Sequence, residues 1–117
     1  MARAFKKAAQ DALDLADEGQ NAAPILSNIV NAAIAYNDYI TATHAGVINS
    51  QDHAAAPRLL REVLKQALPD VQEQLLRRLL SMKDAAQYGV RELSLELARQ
   101  RMQDLERFAA WAEDVLQ

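Results

Sequence analysis

From residue 95 to residue 116 apolar side chains recur in alternating steps of three and four: Leu95, Ala98, Met102, Leu105, Ala109, Ala112 and Leu116. A helix with about 3.6 residues per turn brings such positions onto one face, whereas a strand would scatter them over two. Leu97, Phe108, Trp111 and Val115 flank the stripe and widen it. A seam of this length has to be buried against other helices, so the closing segment predicts a helix bundle.

The rest of the chain repeats the pattern. From Ala2 to about Glu18 one stripe holds Phe5, Ala8 or Ala9, Ala12, and Leu15 or Ala16. Gly19 is a natural stop and Pro24 suits the first turn of the next helix, which begins near Ala23. That second helix, to about His44, carries Ile25, Ile29, Ala32 or Ala33, Tyr36 and Ile40 among alanines that permit close approach, and it should be central. Gly46 closes it. After the polar connection INSQDH, residues 48 to 53, the segment AAAPRLLREVLKQAL places Leu59 or Leu60, Val63 or Leu64, and Ala67 on a third helix. Pro69 and Asp70 open a fourth, whose stripe is Val71, Leu75, Leu79, Met82 and Ala86 and whose end is near Gly89. With no strand-like alternation, no internal repeat and short connections, the expected fold is all-α: a single domain over 1–117 built as an antiparallel bundle of four long helices plus a short fifth.

Composition narrows the chemistry. Half the 117 residues are apolar and a quarter charged, which suits one ordinary globular core. The absence of cysteine removes disulfides, thiolate catalysis and cysteine-ligated metals. No apolar run approaches the roughly 20 residues that cross a bilayer, and MARAFKKAAQ lacks the apolar stretch of a secretory signal, so a cytoplasmic protein without membrane association is expected. A net charge of -3 disfavours broad affinity for nucleic acid. Arg58, Arg61 and Lys65, with Arg77 and Arg78, read as solvated helix faces.

No Gly-rich phosphate loop, zinc-protease helix motif, EF-hand or di-iron motif occurs, so no cofactor is expected. With only His44 and His53, a metal site using three histidines within one chain is impossible, and no metal ligands or catalytic residues are assigned. The loop around His53 has two readings. Ser50 or Asp52 can act as N-cap for the helix that follows. Alternatively, Asp52 and His53 belong to a polar cleft, an imidazole being the side chain best suited to proton transfer near neutrality.

The run LLSMKDAAQYG, residues 79 to 89, followed by ELARQRMQDLERFAAWAEDVL, residues 96 to 116, resembles the closing helices of HEPN domains. Lys83, Tyr88, Arg107, Phe108 and Trp111 carry the match. The upstream half is similar to small bacterial HEPN proteins through Asp38 late in the second helix, the polar loop Gln51 to His53, then Ala55 or Ala56 and the pair Leu59 and Leu60. The likeness runs from Pro24 to the end of the chain.

This resemblance implies a helical domain that dimerises and serves, in different members, as a ribonuclease toxin, an RNA-binding unit or a nucleotide-binding partner. The nuclease members use an Arg, four to six residues, then a His. Here neither histidine has an arginine at that distance; the nearest echo is Lys83, four intervening residues, and Tyr88. A phenol with an ordinary pKa of about 10 is a poor base at neutral pH, and lysine lacks the arginine fork. The expectation is therefore a non-catalytic homodimer that binds a nucleotide, RNA or a protein partner at a cleft of Asp38, Asp52, His53, Lys83 and Tyr88. The alternatives are a divergent HEPN ribonuclease toxin of a toxin-antitoxin pair and a purely structural, self-associating bundle. The bland roles are a helix-end pair at Gly89 for Lys83 and Tyr88, and for Asp38 an N–H acceptor or an ion pair, with Lys83 as its partner.

Overall fold

Ser94 starts the last helix: its Oγ accepts a hydrogen bond from the Leu97 backbone N–H at 3.1 Å, satisfying one of the unpaired donors of the first turn. In the computed structural model, which describes residues 1–49, 52–88 and 92–117 with the side chains at 87 and 88 excepted, this helix is Leu95–Val115. We label the helices α1 (Ala2–Asp14), α2 (Ala23–Ala45), α3 (Ala56–Leu64), α4 (Asp70–Leu80), α5 (Lys83–Tyr88) and α6 (Leu95–Val115). Single 3-10 turns, His53–Ala55 and Lys65–Ala67, flank α3. The described residues contain no strand, so the all-α expectation holds.

The α6 seam is the buried face. Leu95, Ala98, Met102, Leu105, Ala109 and Ala112 are all buried, and Leu116, just past the helix, packs at the core's edge. Phe108 is wholly buried, with Trp111 beside it at a ring separation of 5.7 Å. Asp104 also lies on the buried side, where its carboxylate meets Arg78 of α4 and Arg101, each at 3.3 Å. That pairing ties α4 to α6 and compensates a charge that burial would otherwise penalise.

Helix α2 is central as expected: it packs against α1, α3, α4, α5 and α6. Ala32 and Ala33 are fully buried, and side chains this small let neighbouring backbones come close. Pro24 sits in its first turn, and Asn21 Oδ1 accepts from the N–H groups of Ala23 and Leu93, fastening the start of α2 to the segment before α6. At the other end Gly46 adopts φ 66°, a left-handed conformation that a Cβ disfavours, and the N–H groups of Gly46 and Val47 return to Ala42 and Thr41.

Three boundaries differ from the sequence reading. Helix α1 stops at Asp14 rather than near Glu18, and Leu15 is 84% exposed while Ala9 and Ala16 take the inward positions. Asp14, Asp17 and Glu18 crowd the negative end of the helix dipole, which opposes extension. The single stripe expected over Val71 to Ala86 is two helices: Ser81 Oγ donates to the Arg78 carbonyl at 2.6 Å, competing with the helical pattern, and the chain turns at Ser81 and Met82. Val71, in the first turn of α4, is exposed. The third helix ends at Leu64, short of Ala67, which is exposed in the 3-10 turn that follows, and Leu68 is buried instead.

That last shift arises at Lys65, whose φ of 54° and ψ of -123° lie where a residue with a Cβ is strained. Arg61 holds the turn. Its Nη1 donates to the carbonyls of Lys65 and Leu68, its Nε to Glu73 and its Nη2 to Asp70. Arg77 binds the second oxygen of Glu73. Arg61, Arg77 and Arg78 are thus engaged in ion pairs, while Arg58, Lys65, Arg77 and Arg78 keep the exposure expected of solvated positions.

Candidate functional site

Asp52 occupies the cap position before the 3-10 turn. Its Oδ1 accepts the Ala54 N–H at 3.1 Å, and its carbonyl accepts from the Ala55 N–H and the Asn49 side chain. The capping reading of Asp52 is therefore real, while Ser50, the other candidate cap, and Gln51 lie outside the described residues. The turn projects His53, half-buried, between the end of α2 and the start of α5.

Two cavities meet at that imidazole. The first, about 680 Å³, lies between α1, α2 and the loop, with Asp38 and His53 on its wall beside Phe5, Ile34, Tyr39 and Ile48. The second, about 310 Å³, is lined by Asp52, His53, Arg77, Lys83 and Asp84. Asp38, Asp52, His53 and Lys83, which lie on three different stretches of structure, are thereby distributed over two cavities with one shared wall. Lys83, the partner expected for Asp38, lines the second cavity, not the first. Tyr88 closes α5, and its side chain lies outside the described residues.

Burial pushes the Asp38 carboxyl above the ordinary aspartate value, and the Asn37 amide, the His53 imidazole and the Asn49 backbone N–H only partly oppose it. Asn37 is itself fully buried, and although near enough to favour the ionised carboxylate, neither its Nδ2 nor its Oδ1 reaches a partner at hydrogen-bonding geometry. Asp38 is therefore an N–H acceptor, as one of its two bland readings has it, yet one whose charge is under-compensated.

A polar cluster that the sequence reading missed starts two residues earlier on α2, at Tyr36. Tyr36 Oη donates to Glu113 Oε1 at 2.9 Å, and Arg3 Nε donates to the same oxygen at 2.9 Å, joining α1, α2 and α6. Arg3 and Tyr36 hold the Glu113 carboxyl below its ordinary value, while burial and then the bond to Glu113 push the Tyr36 phenol up to about 12. Nothing in the linear pattern marks these three, because Arg3 and Glu113 are 110 residues apart. The buried Tyr36 and the half-buried Glu113 thus fasten α2 to α6, with the exposed Arg3 adding a link from α1.

Among the described residues no three His, Cys, Asp or Glu side chains converge on a metal-sized site, and no helix is long and apolar enough to cross a membrane. No protein-family model matches the chain, and neither the curated proteins nor the solved structures contain a significant match to it.

Proposed function

We propose that this chain is a non-catalytic, HEPN-like binding module, its helices arranged as an antiparallel bundle, which acts in the cytoplasm as a homodimer and takes a nucleotide in the smaller cavity. What supports the reading is the meeting of Asp52 and His53 with Lys83, 30 residues or more away in sequence, around one space of about 310 Å³. That volume is at the small end of ligand sites. Lys83, Arg77 and His53 supply cationic or hydrogen-bonding groups for phosphate oxygens, and the carboxylates of Asp52 and Asp84 are acceptors for amino groups of a base. A nucleotide suits this mixture better than a long RNA, which the net charge of -3 disfavours.

The nuclease alternative is less favoured: the Arg77 and His53 that line this cavity do not have the sequence order or spacing of the nuclease pattern, an Arg, four to six residues, then a His. The deciding experiment is an NMR titration of the full chain with AMP and ATP, alongside a light-scattering mass. Shifts confined to residues 52–57 and 77–84, lost in Lys83→Ala with the fold intact, are expected for a dimeric protein. Unchanged spectra at millimolar nucleotide, or shifts indifferent to Lys83→Ala, would remove the nucleotide; a monomer mass would remove the dimer.

A further inference from the structure

The larger cavity differs in kind from its neighbour. Its volume of about 680 Å³ falls in the range typical of small-molecule sites, and its wall is mainly apolar. Two of its lining side chains, Tyr39 and Ile48, are large and about 60% exposed, so apolar surface is left open to solvent at its rim. Its described wall contains no lysine and no arginine; Asp38 is its single carboxylate, and the His53 imidazole and the Met1 residue with its amino end are also on the wall.

We propose that this cavity binds a small apolar amine, with the ammonium on the Asp38 carboxylate and an aromatic or aliphatic body against Phe5, Ile34, Tyr39 and Ile48. Three classes of occupant are separated by charge. An anion meets the carboxylate and is repelled. A neutral apolar molecule covers the wall but dries a carboxylate without supplying a counter-charge, at a cost in free energy. An ammonium offers both, since it donates charge-assisted hydrogen bonds to Asp38 while its apolar body covers the wall that Phe5 and Tyr39 also line. The upward push that burial exerts on the Asp38 carboxyl is consistent with a site whose anion lacks full compensation in the free protein. This inference does not rest on the nucleotide reading, because Lys83, Arg77 and Asp84 do not line this cavity.

The test uses the intact chain near neutral pH and three probes of similar shape: phenethylamine, phenylethanol and phenylpropionate, followed by calorimetry and by NMR shifts of Ile34 and Tyr39. Phenethylamine is expected to bind about tenfold or more tightly than phenylethanol, a difference of roughly 1.4 kcal/mol, with phenylpropionate weakest. Asp38→Asn, checked for an unchanged helical spectrum, is expected to erase the preference for amine over alcohol, and Phe5→Ala to weaken both. Equal binding of amine and alcohol, absence of amine binding, or shifts confined to residues other than those of this cavity would each overturn the proposal in the wild-type protein alone. A preference for the amine that survives Asp38→Asn would overturn its assignment to that carboxylate.

Discussion

Tyr36 and Asp38 stand two residues apart on α2 and meet opposite fates. Tyr36 reaches Glu113, which Arg3 also binds, and the carboxylate at the centre of that cluster is pushed down by its partners. Glu73, gripped by Arg61 and Arg77, is pushed down in the same way. Asp38 is pushed up, because burial outweighs the neighbours that favour its charge. The difference separates two uses of a carboxylate: one whose hydrogen bonds are completed inside the chain holds helices together, and one left under-compensated beside a cavity is available to something from outside.

If that distinction is right, the fastenings should be costly to remove and Asp38 should not. The largest effect is expected for Asp104→Ala, which leaves Arg78 and the mostly buried Arg101 without their shared partner; a loss of about 3 kcal/mol in urea unfolding is expected. Glu113→Ala should lose about 1 to 2 kcal/mol, since the buried Tyr36 hydroxyl forfeits its acceptor.

The same cluster predicts a pH dependence. With folded-state values lowered from 4.5, Glu113 and Glu73 give stability that is complete above that value and lost as pH falls through their lowered values. With its folded value raised, Tyr36 gives stability that is complete below pH 10 and lost as pH climbs from 10 through about 12. Unfolding curves across pH should show both flanks in the wild type, and Tyr36→Phe should flatten the alkaline one.

The smallest effect is also the most discriminating. For Asp38 the folded value is raised above 3.8, so its favourable contribution is present below that pH and lost as pH rises through the folded value. The ionised carboxylate therefore costs stability at neutral pH, and Asp38→Asn should raise the free energy of urea unfolding there, by less than about 1 kcal/mol, with the gain fading toward acid. A destabilised Asp38→Asn at neutral pH would place Asp38 with Glu113 and Glu73 among the fastenings and dissolve the comparison.

The sequence foretold the helices where an apolar period ran unbroken. The seams of α2 and α6 are legible because their stripes continue for five turns or more, so a slip of one residue would expose the whole face. Short segments were less readable: the period over Val71 to Ala86 is consistent with one helix, and a single Ser81 hydroxyl bound to the Arg78 carbonyl marks the break. For the candidate site, residue types were visible and their grouping was not. Asp52 could be read as a cap from its place before a helix, but Lys83 was expected beside Asp38, and linear spacing had no means of assigning it to the other side of His53.

By itself, then, the sequence determined the all-α class, the central α2, the inward face of α6 and the capping loop, because periodicity and turn chemistry are local properties written in consecutive residues. Only the tertiary structure decided that Arg61 would close the strained turn at Lys65, that Arg3 and Glu113 would meet at Tyr36, and that His53 would divide one polar cleft into two cavities of different character. The physical reason is that charges and hydrogen bonds are satisfied in space: which donor reaches which carboxylate depends on how the helices cross, and no period along the chain records that crossing.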